Sequence, residues 1–174
     1  HQLEWARSYV SSPQNWVPMY LGCNSFVDAE IGRVIDAAHV LAPQDTTIIF
    51  TSDHGEMLGA HRLWSKGPVM YEEITHVPLI VEPPGGLKGG GGNSTLASHI
   101  DLLPTMLDLA GLPIPPILEG RSLAPMLSGA QEAREIVLEF NRYEIEHDSW
   151  GGFQPVRSIM RGDYKLVVNL LSGA

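Results

Sequence analysis

The sequence has little cysteine, little positive charge and no long apolar run. Cys23 is the only cysteine in 174 residues, which excludes an internal disulfide framework and is compatible with a reducing compartment. Eleven Lys and Arg residues stand against 20 Asp and Glu, a formal net charge of −9. A nucleic-acid-binding protein normally carries a basic face, and a membrane helix needs ~18 apolar residues in a row. We therefore expect neither a nucleic acid nor a membrane as a partner.

The rest of the composition is that of a globular protein. Apolar residues make up 44% of the chain, and its length is sufficient for one well-buried domain. The net negative charge has one further consequence. An anionic substrate would need local cations, either basic side chains or a bound metal ion.

The first half of the chain has the pattern of an α/β layer. Residues 1–18 lack clear periodicity and are interpreted as irregular. Apolar residues then recur at helical spacing, which predicts an amphipathic helix over residues 19–41 that packs one face on a core and ends at Pro43. Residues 46–51 are β-branched and apolar, as in a buried parallel strand, and residues 77–81 form a second strand candidate.

The second half shifts towards short strands. A helix is expected over residues 101–110, with Asp101 as its cap and Gly111 at its end, followed by a helical turn at residues 122–127. Strands are expected at residues 136–140, 156–160 and 164–170. The turn Arg161-Gly162-Asp163 predicts a hairpin between the last two strands.

Three polar residues follow the predicted strand at 46–51. Asp53 and His54 come where the strand ends, and ligands of open α/β sheets bind beyond the carboxyl ends of strands. An Asp and a His there are suitable ligands for a divalent cation, and Lys66 would supply an ammonium for an anionic oxygen. The same residues also fit an ordinary turn with a capping Asp and a solvated surface lysine.

The segment from Phe50 to His61, with Lys66 thirteen residues beyond Asp53, resembles the C-terminal metal-site block of type I sulfatases and related phosphonate monoester hydrolases. The similarity is collinear over about residues 20–171, and residues 140–169 are most like uncharacterised bacterial sulfatase-like proteins. The other similar segments are Phe26-Val27-Asp28-Ala29-Glu30-Ile31-Gly32-Arg33-Val34, Thr75-His76-Val77-Pro78-Leu79, His99-Ile100-Asp101-Leu102-Leu103-Pro104-Thr105, Leu109-Ala110-Gly111 and Tyr164-Lys165-Leu166.

The resemblance implies an alkaline-phosphatase-like α/β sheet with flanking helices, followed by a small antiparallel C-terminal sheet. Residues 1–134 would be the C-terminal portion of the α/β domain. Residues 135–174 would begin the small subdomain. The N-terminal part of the fold is expected to be missing, and the open sheet edge would favour self-association into a homo-oligomer.

The resemblance also implies roles for single residues. Asp53 and His54 would be metal ligands, and Lys66 would contact the sulfate or phosphate group. His61 would be either a substrate contact or a structural hydrogen-bonding residue. Calcium is usual in sulfatases, whereas the imidazole of His54 favours a softer ion, so we expect Ca²⁺ with Mn²⁺ as the alternative.

One departure from the sulfatase pattern concerns the nucleophile. Sulfatases use a formylglycine made from Cys or Ser in a Cys/Ser-x-Pro-x-Arg motif, and the residues after Cys23 do not fit that motif. The nucleophile is therefore expected in a missing N-terminal region, and this chain alone is expected to be inactive.

Three functions remain open from the sequence. The first is a fragment of a metal-dependent hydrolase of sulfate esters. The second is a phosphonate monoester or phosphodiester hydrolase with the same site residues. Sulfur and phosphorus esters both present tetrahedral anionic oxygens, so the residues alone do not separate the two substrates. The third is a non-catalytic binding module that retains the fold.

Overall fold

The computed structural model describes residues 13–42, 45–86, 91–142 and 153–170. Its elements, in chain order, are helix α1 (Pro13–Leu41), strand β1 (Ile48–Thr51), a 3-10 turn (Ala60–Arg62), helix α2 (Glu72–Thr75), strand β2 (Leu79–Glu82), a second 3-10 turn (His99–Asp101), helix α3 (Leu102–Leu109), helix α4 (Ala124–Leu127), and strands β3 (Glu135–Arg142), β4 (Phe153–Arg161) and β5 (Tyr164–Asn169).

The chain forms two compact units. Unit 1 comprises His1–Lys66 and Tyr71–Lys88, and unit 2 comprises Gly67–Met70 and Gly89–Ala174. The residues expected to carry chemistry belong to unit 1, and the three-stranded sheet belongs to unit 2. The domain boundary placed between residues 134 and 135 from the sequence stays a prediction.

Helix α1 is longer than the apolar periodicity predicts. It begins at Pro13 and includes Pro18, so the expectation of irregular structure is wrong for residues 13–18. Residues 1–12 and Pro43 lie outside the described part. The predicted packing face is only partly covered, since Ile31 and Ile35 are half-buried but Val34 is 70% exposed. No described helix is long and apolar enough to cross a membrane.

Strands β1 and β2 pair in the antiparallel direction, with Ile48 opposite Glu82 and Thr51 opposite Leu79. The prediction of a buried parallel strand is therefore wrong in two respects. Strand β1 is antiparallel to its partner, and it is half-buried rather than buried. A parallel pair needs a crossover of a dozen or more residues, usually a helix. Between β1 and β2 the only helices are a three-residue 3-10 turn and the four residues of α2, and the chain returns in the opposite direction.

Unit 2 contains the predicted helix, and Asp101 occupies its N-cap position, as the sequence predicts. The Asp101 carboxylate makes no capping bond to α3 and instead accepts the backbone N–H of Ser98, the N-cap residue of the preceding 3-10 turn, at 2.8 Å. Asp101 is fully buried. Helix α3 then runs to Leu109, and Gly111 has the positive φ of 68° that commonly ends a helix.

A buried ion pair joins α3 to the segment before β3. The guanidinium of Arg134 donates to both carboxylate oxygens of Asp101, at 2.8 and 3.1 Å. The backbone N–H of Arg121 donates to Oδ1 of the same carboxylate at 2.9 Å. With the bond from Ser98, the buried carboxylate has four donors, which compensates for its removal from water.

The C-terminal region forms the predicted antiparallel sheet, in the order β3-β4-β5. Strand β3 pairs with β4 from Glu135 opposite Arg161 onwards, and β4 continues through a tight turn into β5. Gly162 occupies that turn with φ of 53°, which confirms the predicted hairpin.

Candidate functional site

Asp53 lies just beyond the carboxyl end of β1, where the sequence predicts it. Its side chain is 82% exposed. Oδ1 accepts a hydrogen bond from the backbone N–H of His54 at 2.9 Å and a weaker one from the Ser52 hydroxyl at 3.4 Å. The His54 N–H lowers the pKa of the Asp53 carboxyl, and the His54 ring contributes to the same effect. The group therefore stays ionised to a lower pH than an ordinary Asp.

The ring of His54 is oriented by its own backbone neighbour. Nδ1 lies 2.8 Å from the carbonyl oxygen of Gly55, a distance at which only a protonated Nδ1 can bond to a carbonyl acceptor. Nε2, the other ring nitrogen, lies 3.4 Å from Oδ2 of Asp53. When Nε2 is deprotonated, it can share a divalent cation with this carboxylate, and a carbonyl behind the ring is the usual support of a metal-binding His.

Gly55 allows this segment to approach α2 closely. Its N–H donates to the carbonyl of Ile74 at 2.9 Å. A Cβ at this position would lie 1.8 Å from the backbone oxygen of Glu73, a distance at which the backbone would have to move. The residue after His54 therefore has to be glycine for α2 to occupy its place.

The chain from residue 57 to residue 65 forms a loop closed by its own backbone. Met57 is 2% exposed, and its N–H donates to the carbonyl of Ser65 at 3.2 Å. Gly59 likewise donates to Leu63 at 2.8 Å. Four residues other than glycine adopt positive φ in this stretch: Leu58, His61, Arg62 and Ser65. Such strain persists only where the surrounding structure holds it, and it clusters at functional sites.

This loop returns the backbone towards the strand-end segment just before Lys66. The Lys66 side chain is exposed and makes no hydrogen bond or ion pair to another described residue. Convergence of its ammonium group with Asp53 and His54 stays a prediction.

His61 is held by two residues that the sequence did not single out. Its ring stacks on that of Tyr71 with the centroids 3.9 Å apart and the planes 10° from parallel. Its Nε2 lies 3.4 Å from Oε1 of Glu73. Glu73 lies in α2, and Tyr71 is the residue just before that helix. The sequence shows only an aromatic residue before two acidic ones, and nothing in that spacing predicts a contact ten residues away.

The structure thus brings Asp53 and His54 together and places His61 against α2. Within the four described ranges, no group of three or more His, Cys, Asp and Glu side chains is arranged to hold a metal ion. Asp53 and His54 suit a divalent cation by ligand type and proximity, but they would supply only part of a coordination shell.

The chain matches two family descriptions. Residues 4–112 match the family described as Sulfatase, and residues 59–171 match the one described as N-sulphoglucosamine sulphohydrolase, C-terminal. The candidate residues lie in the first match, and those from Gly59 onwards lie in both.

Individual relatives agree with the family matches. The chain is 51% identical over 155 residues to the uncharacterized sulfatase YidJ of Escherichia coli K12, covering 89% of this chain and 30% of that protein. It is 45% identical over 116 residues to arylsulfatase K of Mus musculus, covering 66% of this chain and 20% of that protein. The chain therefore spans less than a third of the length of these relatives.

Solved structures show the same relationship. A structure of BT4656 in complex with its substrate D-glucosamine-2-N,6-O-disulfate matches with a TM-score of 0.69 and 33% identity, over 81% of this chain and 29% of that one. A structure of BT1596, a 2-O GAG sulfatase, matches with a TM-score of 0.62 and 32% identity, over 72% and 27% of the two chains. These likenesses confirm the fold class that the sequence predicts. By sequence and by structure, the chain belongs to the sulfatase family.

Proposed function

We propose that this chain is the C-terminal part of a hydrolase of sulfate esters, and that it contributes metal ligands and an anion-binding lysine to the active site. The observation that carries the proposal is the pair formed by Asp53 and His54 beyond the end of β1. Nε2 of His54 lies 3.4 Å from Oδ2 of the exposed carboxylate, and the bond from Nδ1 to the carbonyl of Gly55 leaves Nε2 as the nitrogen that would bind the cation. The chain's membership of the sulfatase family supports the sulfate ester as substrate.

Asp53 and His54 would hold a divalent cation, Ca²⁺ in the first instance and Mn²⁺ as the alternative. Such an ion would neutralise charge on the oxygens of the ester during hydrolysis. The lowered pKa of Asp53 keeps its carboxylate ionised for this purpose. Calcium takes about six to eight oxygen ligands, so further ligands have to come from outside the described residues.

Lys66 would bind an oxygen of the sulfate group. An exposed ammonium with no partner among the described residues is available for an anionic ligand. In a chain with a net charge of −9, this local positive charge matters more than it would on a basic surface. Stabilising charge at the bridging oxygen would assist departure of the leaving group.

The attacking group would lie elsewhere in the polypeptide. Cys23 is exposed on α1 and lacks the sequence motif of a formylglycine precursor. A formylglycine outside this chain would supply the nucleophile when present. The sulfated sugar bound by BT4656 supports a small-molecule sulfate ester as the substrate class.

The test is an assay of the intact protein with an aryl sulfate and an aryl phosphonate monoester. The protein is first treated with a chelator, and Ca²⁺ or Mn²⁺ is then restored separately. We expect metal-dependent turnover of the sulfate ester and much slower turnover of the phosphonate. Preference for the phosphonate would favour the other hydrolase class, and turnover of neither would favour a binding module.

Lys66→Ala should lower kcat/KM for the sulfate ester by about a hundredfold, the size of effect seen when one oxyanion donor is removed. Lys165→Ala is the matched control, because that ammonium donates instead to the carbonyl of Met70 in unit 2. Equal losses from the two changes would contradict the role of Lys66.

The 174-residue chain by itself should show no turnover and no submicromolar binding of calcium. Two ligands leave most of the coordination shell to water, and catalysis needs an attacking group. Calorimetry with CaCl₂ and MnCl₂, together with the two ester assays, checks this. Turnover above the buffer rate would show that a catalytic group had been assigned to the wrong region.

A further inference from the structure

His61 has a conformation that its neighbours must maintain. Its φ of 53° lies in the left-handed region, which is unfavourable for a residue with a Cβ. Its ring stacks on that of Tyr71, with the ring centroids 3.9 Å apart, and its Nε2 lies 3.4 Å from Oε1 of Glu73. The plane and the in-plane rotation of the imidazole are thus both constrained.

The two constraining residues are themselves anchored to the proposed metal-binding segment. Ile74, which follows Glu73 in α2, accepts the N–H of Gly55 at 2.9 Å. The backbone oxygen of Glu73 abuts Gly55 closely enough to exclude any side chain there. Gly55 in turn accepts the ring N–H of His54. A continuous set of contacts therefore runs from the proposed metal ligand through α2 to His61.

Part of the His61 ring is exposed to solvent. Its side chain is 47% exposed, and Nδ1 bonds to no other residue in the described part of the chain. Because Nε2 is directed to the carboxylate of Glu73 at 3.4 Å, Nδ1 is the ring nitrogen that a bound ester could reach.

We propose that Tyr71 and Glu73 are positioning residues that hold the imidazole of His61 in place for contact with the substrate. This inference rests on the proposed function, because it assigns partners to a residue of that same site. Tyr71 fixes the ring plane through stacking, and Glu73 fixes which nitrogen faces outward. Neither residue needs to touch the substrate.

The test is a double-mutant cycle on kcat/KM in the intact enzyme. Tyr71→Leu and Glu73→Ala should each lower kcat/KM by about tenfold, as expected for a partial loss of orientation. In the His61→Ala background, the same two changes should add less than about a twofold further loss. Tyr71→Phe keeps the stacked ring and Glu73→Gln keeps an acceptor oxygen, so both should retain most of the activity.

A second measurement reports the geometry without activity. A stacked tyrosine shifts the Cε1 proton of His61 upfield, and this resonance is assigned by its loss in His61→Ala. We expect it to move downfield in Tyr71→Leu and to stay in place in Tyr71→Phe. His76→Asn is the control, since His76 pairs with Glu72 on the exposed side of α2 and should alter neither the resonance nor kcat/KM.

The outcomes separate the two proposals. Full additivity of Tyr71→Leu with His61→Ala, in an active sulfatase, would overturn the positioning role and leave the proposed function intact. An unshifted His61 resonance in Tyr71→Leu would overturn the stacking. A wild-type enzyme that hydrolyses no ester would overturn the proposed function, and with it any catalytic purpose for the two residues.

Discussion

Asp53 in unit 1 and Asp101 in unit 2 are both carboxylates at the end of an element, yet their surroundings are opposite. Asp101 is 0% exposed and accepts hydrogen bonds from Arg134, Ser98 and Arg121. Asp53 is 82% exposed, and within the described ranges its carboxylate accepts hydrogen bonds from the adjacent residues His54 and Ser52. Both oxygens of the Asp101 carboxylate accept hydrogen bonds from the protein, whereas the Asp53 carboxylate keeps lone pairs that a ligand could use.

This difference separates a charge that serves the fold from one with a proposed role in metal binding. A buried carboxylate with a complete set of donors stabilises the fold when all of them are kept, and removing one partner leaves a buried unpaired charge. An exposed carboxylate contributes little to the fold, and its open oxygens fit the metal-ligand role proposed for Asp53. The two residues should therefore respond to substitution in different measurements.

The largest effect is expected for Asp101→Ala, which leaves the Arg134 guanidinium buried without its partner. Side-chain exposure of Arg134 is 7%, so water cannot replace the lost carboxylate. The free energy of unfolding should fall by about 3–5 kcal/mol. Urea denaturation of the intact protein measures this change.

Glu132→Gln is the matched control for that experiment. It removes the acidic partner of Arg121 from an ion pair whose two side chains are both substantially exposed. Such a pair is worth about 0–1 kcal/mol. A loss for Asp101→Ala as small as that of the control would show that the Asp101 pair is hydrated in solution.

Asp53→Ala should produce the reverse result. We expect kcat/KM for a sulfate ester to fall by more than about a hundredfold, because the change removes the charged group proposed to bind the metal ion. The unfolding midpoint in the absence of metal should hardly change, since the side chain is exposed. Glu56→Gln, which removes a charge from the same loop, should leave kcat/KM within about twofold. A stability loss with intact turnover would reverse the assignment of Asp53.

Two glycines extend the comparison to the backbone. A Cβ on Gly55 would meet Glu73 at 1.8 Å, and a Cβ on Gly120 would meet Ile100 at 1.9 Å. Gly55→Ala and Gly120→Ala should each destabilise the protein by about 1–3 kcal/mol through overpacking. Only Gly55→Ala should also lower kcat/KM severalfold, because it displaces the segment with His54. Equal activity in the two variants would contradict the role of the contact with α2.

The sequence predicted best those features that depend on local pattern. The antiparallel C-terminal sheet, the hairpin at Gly162 and the position of Asp53 after β1 follow from alternation, turn residues and strand length. The start of α1 was missed because residues 13–18 show no clear apolar periodicity, although the helix includes them. The direction of β2 was missed because periodicity describes a strand but not its partner.

Side-chain partnerships were largely beyond prediction from the sequence. Asp101 has the sequence context of a cap, and only the fold shows that Arg134, 33 residues later, neutralises it in the interior. The stacking of Tyr71 on His61 likewise requires the closed loop at residues 57–65. Pairings between distant residues depend on the tertiary arrangement, which local propensities do not specify.

His61→Ala should lower kcat/KM by about tenfold and thus less than Asp53→Ala. Asp53 would bring a full negative charge to the proposed cation, whereas His61 offers one ring nitrogen from a half-exposed ring. The φ of 53° at position 61 is unfavourable for any residue with a Cβ, so alanine retains this backbone strain. His61→Gly would relieve that strain, so it should be the more stable of the two variants with the same loss of activity. Steady-state kinetics and thermal unfolding of both variants and of Asp53→Ala check this order of activity and stability. An activity loss for His61→Ala as large as that for Asp53→Ala would place His61 among the groups that act directly on the reacting ester.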